Sequence, residues 1–165
     1  MTTFSVLHRY NSGDLIAAMA GMRQVWEDTG NKAVIYQQLD YPAFYYEGAN
    51  HPVRNDNGQQ VSMNQKQFDL LFPLLTEQPY IEDVKVWKGE ACDIDLTNCR
   101  DSKAVPMPYG DLHWWVPMVV PQFATDFGRG WITCESQGDL AKDALVIANT
   151  GRYPNHNIHY WFLKQ

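Results

Sequence analysis

Residues 4–39 of the chain read as an apolar run, a polar knot, an amphipathic stretch and a second apolar run, and this order restricts the fold more than anything else in the sequence. Residues 4–7 (FSVL) have the character of a short buried strand. The polar knot "HRYNSGD" follows, and from Asp14 onward Leu15, Ala18, Met19, Met22, Val25 and Trp26 recur at helical spacing. Gly30, in "DTGNK", ends that pattern. Residues 32–39 (KAVIYQQL) then read as a second strand, rich in branched and aromatic residues. Strand, helix and strand within about 35 residues make a βαβ unit, which requires parallel strands and a crossover connection. The chain is therefore expected to be an α/β protein.

Weaker signals continue this organisation. Asn57-Gly58 marks a turn, with residues 61–63 as a short strand candidate after it. A helix is predicted from near Asn64, with Pro73 kinking or shortening it. Residues 81–89 (IEDVKVWKG) alternate as a strand. A Pro- and aromatic-rich stretch follows, read as irregular apart from a short helix over 112–118. Near the end, "ALVIANTGRYPN" repeats the opening logic: an apolar strand at 144–148, then a polar turn holding Gly151. Gly and polar residues between 127 and 143 place a boundary there. The expected architecture is a Rossmann-like parallel sheet with flanking helices over residues 1–142. Residues 143–165 would form the first strand and loop of a second domain.

Composition narrows the function. At 165 residues, 45% hydrophobic and 19% charged, the chain can bury a real core. A net charge of −6 argues against a basic nucleic-acid surface, although backbone amides and a single Arg suffice to hold a phosphate. Cys92, Cys99 and Cys134 are odd in number and lack CxxC spacing, which speaks against a zinc cage or a disulfide framework and fits a reducing compartment. The first residues lack the basic and apolar regions of a secretory signal. The longest apolar stretch, "WWVPMVV", is too short to span a bilayer. A soluble, cytoplasmic protein is expected, with no membrane span and no nucleic-acid partner.

Asn11, Ser12, Gly13 and Asp14 fall where a parallel sheet places its ligands, outside the carboxyl end of the first strand. The following helix turns unpaired N–H groups and its positive end toward that place, and Gly13 leaves the backbone approachable. Ser12 and Asp14 are equally ordinary helix-capping types, and the turn lacks the other glycines of a dinucleotide fingerprint. Asp93 and Asp95 would share one face of a strand, an arrangement suited to a hard divalent cation, yet Arg100 and Lys103 lie near enough in sequence to pair with them. His8, His51, His113, His156 and His159 show no metal-ligand spacing, and neither Ser12, Ser62 nor any cysteine has the context of a nucleophile. The aromatic clusters "LHWWVP" and "YPAFYY" suit sugar stacking or plain core packing. Arg152, beside Gly151, is a candidate phosphate contact.

Taken in order, strand, "NSGDLIAAMAGMRQV" and "GNKAVIYQQL" resemble the start of the GT-B glycosyltransferases related to the lipopolysaccharide heptosyltransferases. In that group a Gly-Asp turn precedes a helix with a P-x-(I/L)-(K/R)-x-(L/V) run. Here Ala20-Gly21-Met22-Arg23-Gln24-Val25 takes its place, without the proline. "NQKQFDLLFPLLTEQPYIEDVKVWKGE" and "DIDLTNCR" are similar to later parts of the first domain, where the Asp-x-Asp-Leu is a structural segment. "ALVIANTGRYPN" resembles the strand and loop that open the donor-binding domain.

The resemblance implies metal-independent transfer of a sugar, by single displacement, from a nucleotide-diphosphate donor to a glycan acceptor, with no cofactor. Asp14 matches the carboxylate that takes the acceptor hydroxyl proton. Asn11, Ser12 and Gly13 would flank the substrate, and Thr150, Gly151 and Arg152 would approach the donor phosphates. A cleft-facing Asp can have a raised pKa, which a helix N-terminus opposes. The chain departs from the family at Asn11-Ser12, in the single basic residue Arg152 of the second loop, and in spanning about half of a GT-B protein. The expectation is thus an acceptor-side half, incomplete alone and completed by a second domain or partner covering the 144–148 strand. The other reading is a non-catalytic glycan-binding or assembly module on the same fold.

Overall fold

The opening βαβ unit forms, and the rest of the fold grows outward from it. In the computed structural model the described residues are 2–43, 53–100, 112–125 and 129–133, all within one compact unit, Met1–Cys134. Strand β1 (Thr3–His8) pairs in parallel with β2 (Lys32–Gln37), with Thr3 opposite Lys32 and His8 opposite Gln37. Helix α1 (Ser12–Thr29) joins them. Its N-cap is Asn11, in extended conformation, rather than Ser12 or Asp14. Asp14 stands three residues on, its Oδ2 accepting the Asn11 backbone N–H at 3.3 Å as the return half of a capping box. Gly30 closes the helix in the left-handed region at φ 74°, donating its N–H to the Trp26 carbonyl at 2.7 Å.

Strand β3 (Ile81–Val86) adds in parallel to β2, and β4 (Ile94–Asp95) adds in parallel to the far side of β1. The sheet order is β3-β2-β1-β4, all parallel and flanked by helices, which is a Rossmann-like α/β arrangement. Between β3 and β4 the chain makes no helix, only the segment 87–93. Asp93 fastens the end of that segment: its Oδ2 accepts both the backbone N–H and the hydroxyl of Ser5 at 2.7 Å, and the Asp93 N–H bonds back to Ser5 Oγ at 2.9 Å. These donors hold the Asp93 carboxyl below the ordinary aspartate range.

Helix α2 (Gln65–Thr76) starts where Asn64 accepts the Gln67 N–H at 3.0 Å, and it stops one turn beyond Pro73. Residues 61–63, expected as a short strand, instead make one isolated antiparallel bridge, Val61 to Pro42, beside that of Gln60 to Arg54. The Asn57-Gly58 turn forms as expected, with Gly58 at φ 77° and its N–H on the Asn55 carbonyl. A 3₁₀ turn (Leu96–Arg100) follows β4, and helix α3 (Leu112–Val119) and a second 3₁₀ turn (Pro121–Phe123) pack against α1.

The core lies between the sheet and these helices: Val6, Leu15, Met19, Met22, Ile35, Met63, Leu75, Tyr80 and Phe123 are all buried. The buried residues of α1 include the small Ala17, Ala18, Ala20 and Gly21 among Leu15, Met19 and Met22, so part of the helix sits close to its neighbours. Phe123 lies directly over Gly21: a Cβ added there would come within 2.8 Å of the Phe123 Cα and closer still to its Cβ and Cγ. Residues 129–133 are pinned to this body. Buried Gln78 exchanges hydrogen bonds with the backbone of Thr133, the Tyr80 hydroxyl donates to the Trp131 carbonyl at 2.6 Å, and the Trp131 indole N–H donates to the Ile16 carbonyl at 2.7 Å. Within the segment expected to hold a boundary, 127–143, residues 129–133 thus belong to this unit. The strand and loop expected over 143–165 lie outside the described residues.

Among the described residues, no helix is long and apolar enough to cross a membrane.

Candidate functional site

The order β3-β2-β1-β4 reverses direction between β1 and β4, and ligands of open α/β sheets bind at such a switch, outside the carboxyl ends of the strands. A cleft lies there. It measures ≈ 290 Å³ counted to its open mouth, and its enclosed part has room for about one water-sized group. His8 and Tyr10, at and just after the end of β1, form one side; Asp14, Ala17 and Ala18 of α1 form another. Leu96, Cys99 and Arg100 of the 3₁₀ turn, with Trp115 and Val116 of α3, complete it.

Asp14 is the one residue of the predicted Asn11–Asp14 set that lines this cleft. Its Oδ1 receives two nitrogens of Arg100, Nη2 at 2.6 Å and Nε at 2.7 Å. The Asp14 side chain is 11% exposed and that of Arg100 34%, so the pair is partly shielded from water. Arg100 also stacks over the Trp115 ring at 5.2 Å. The Arg100 expected near Asp93 and Asp95 thus belongs to Asp14 instead, because the 3₁₀ turn after β4 brings it back toward the start of α1. Gly13 is exposed in the first helical turn, and a Cβ there would meet nothing within 4 Å. No packing demand fixes glycine at this position, and the approach to the helix N-terminus stays open.

Asp93 and Asp95 part company. Asp93 clamps Ser5, as described above. Asp95 Oδ1 accepts the Thr97 backbone N–H at 2.9 Å and its hydroxyl, while Oδ2 pairs with Arg9 at 3.4 Å. Arg9 is itself held over the rings of Trp87 and Tyr41. Neighbours in sequence, the two carboxylates serve different partners, and among the described residues no group of three or more metal-ligating side chains assembles.

His8 was not singled out by its sequence context. It is 1% exposed, and its Nδ1 lies 2.7 Å from Gln37 Oε1 on the neighbouring strand. The Gln37 amide nitrogen donates to the Gln38 carbonyl at 2.9 Å, which fixes Oε1 as the atom facing the ring. An amide oxygen only accepts, so Nδ1 carries the proton and Nε2 is left with a bare lone pair. Nε2 is buried and has no hydrogen-bond partner among the described residues. Burial disfavours the imidazolium and lowers the pKa of His8, outweighing the Gln37 bond and the Asp14 charge, which pull the other way. The ring meets Tyr10 edge-on at 6.3 Å, and the Tyr10 hydroxyl is anchored on the Thr97 carbonyl at 2.7 Å.

Cys99, on the cleft wall, keeps its proton: burial first, then the charges of Asp14 and Asp95, push its thiol up to about 12.

His8, Tyr10 and Arg100 carry no site motif because no two of them share a recognisable spacing, whereas Trp115 belongs to the aromatic cluster "LHWWVP". One signal was present. Setting "FSVLH" beside "AVIYQ" in parallel register puts His8 opposite Gln37, two polar residues ending two apolar strands. Thr150, Gly151, Arg152, His51, Lys103, Cys134, His156 and His159, with the side chain of His113, lie outside the described residues. Compared with protein-family models, with curated proteins and with solved structures, the chain matches none.

Proposed function

We propose that the chain is the acceptor side of a glycosyltransferase-like protein, receiving an acceptor hydroxyl in the β1/β4 cleft for transfer of a sugar from a nucleotide-diphosphate donor. The observation that carries this reading is the position of Asp14. The carboxylate that the sequence resemblance assigns to the acceptor lies in a switch-point cleft, at a helix N-terminus, beside a cation and an unpartnered imidazole nitrogen. Open α/β sheets bind ligands at this location on general grounds. In this reading the donor belongs to a second domain or partner that includes or covers the 144–148 strand, with Thr150, Gly151 and Arg152 toward its phosphates. No metal is required, and the setting is cytoplasmic.

The ion pair between Asp14 and Arg100 favours a second reading, a glycan-binding module without transfer, because Asp14 Oδ1 is already engaged. One experiment separates them. The protein, assembled with the second domain or partner that supplies the donor site, is incubated with a panel of nucleoside-diphosphate sugars and monosaccharide acceptors, and release of nucleoside diphosphate is followed together with product mass. The transferase reading expects acceptor-dependent release that Asp14→Asn lowers by roughly 10²-fold or more. Sugar binding without release for any pair would leave the binding module.

A further inference from the structure

We propose that His8 Nε2 is the hydrogen-bond acceptor for a sugar hydroxyl entering the cleft and, in the transfer reaction, the base that takes its proton. This rests on the acceptor-site reading and reassigns the proton within it. Asp14 then holds Arg100 and becomes a positioning residue.

Three observations lead here. Asp14 presents no unengaged oxygen: Oδ1 takes Arg100 and Oδ2 takes the Asn11 amide. His8 presents the complementary atom. Gln37 holds the proton on Nδ1, so the nitrogen turned away from β2 is an acceptor with nothing to accept. A buried acceptor left unpaired is costly, and a donor hydroxyl arriving there recovers that cost. The ring lines a cleft whose enclosed part fits one water-sized group, which is one hydroxyl, while the body of a sugar would occupy the open mouth against Trp115 and Arg100.

The chemistry balances. As the acceptor oxygen forms its bond to the anomeric carbon, the bond from that carbon to the diphosphate oxygen breaks and its electron pair leaves with the nucleoside diphosphate. The acceptor O–H proton passes to Nε2. The resulting imidazolium, protonated on both nitrogens, still donates to Gln37 and gains the nearby Asp14 carboxylate as counter-charge. Arg100 acts against that charge, and Tyr10 and Cys99 face the same space as neutral groups.

The test has two arms. In the first, any donor and acceptor pair that turns over is assayed with His8→Gln and Asp14→Asn, each checked for folding by thermal melting. His8→Gln should lower kcat by roughly 10²–10⁴-fold and abolish the acid limb of the pH–rate profile, whereas Asp14→Asn should lower the rate and keep that limb. A folded His8→Gln variant within about twofold of the parent rate overturns the proposal. In the second, ¹⁵N-histidine spectra are recorded near pH 7 with D-glucose, D-galactose, D-mannose and N-acetyl-D-glucosamine, each added alone at millimolar concentration. Nε2 of His8 should resonate as the unprotonated nitrogen, and at least one sugar should move it toward the hydrogen-bonded range. If the protein assembled with its donor domain or partner turns nothing over but Nε2 responds, the transferase reading falls and the hydroxyl site stands. If nothing turns over and no sugar moves Nε2, both fall.

Discussion

At the scale of single residues, two side chains of the cleft make opposite demands on the fold. His8 is buried as the neutral imidazole, so the folded protein binds a proton there less readily than the unfolded chain, whose histidine titrates near 6.5. Stability is therefore unaffected by His8 above about pH 6.5 and declines as pH falls below it. Urea unfolding between about pH 7.5 and 5 should show this decline, and His8→Gln should flatten it. The acid loss from Asp93 comes lower, as pH falls below its ordinary value of 3.8, because its carboxyl titrates lower in the fold than in the unfolded chain. Asp14 works for the fold at neutral pH: Asp14→Ala removes a first-turn carboxylate from the α1 dipole and from the Asn11 amide, and should cost roughly 1–2 kcal/mol. Gly13 behaves differently. With open space over its Cβ position and a helical backbone, Gly13→Ala should stabilise by roughly 0.5–1 kcal/mol while weakening any ligand that approaches the helix N-terminus. Sugar affinity unchanged by that methyl would place the ligand elsewhere.

At the scale of elements, β1, α1, β2, the start of α2, β3 and α3 were legible because hydrophobic period, a cap or Gly30 marks each. β4 was not. Two residues long, it exists because Asp93 grips Ser5, eighty-eight positions away in sequence, and no local pattern announces such a contact. Arg100 was misassigned for the same reason: its true partner, Asp14, is eighty-six positions distant. Residues 61–63 had strand character but, among the described residues, extend no sheet: they bond the backbone of Asp40, Tyr41 and Val53 and form an isolated bridge to Pro42. The packing of α1 on the 3₁₀ turn Pro121–Phe123 makes a further prediction. Gly21→Ala would gain roughly 0.5–1 kcal/mol of helix propensity, yet the new methyl collides with the backbone and inner atoms of Phe123 rather than with a mobile tip. A net loss of about 1–3 kcal/mol is expected from denaturant unfolding, and Phe123→Leu should combine with it non-additively.

At the scale of the whole molecule, sheet order does what no motif in this sequence does: it selects the place where chemistry gathers. The sequence located one end of that place, Asp14, through local turn chemistry and through the order of later segments. The other members arrive from β1, the 3₁₀ turn after β4 and α3, and they meet only because β4 pairs with β1 on the side away from β2. On this reading the switch-point cleft receives a sugar hydroxyl. Backbone amide mapping during titration with the four monosaccharides named above tests it most directly. Shifts should concentrate at His8, Tyr10, Asp14, Arg100 and Trp115 and be sharply reduced in His8→Gln. Shifts centred on another face, or none with any of the four sugars, would contradict it.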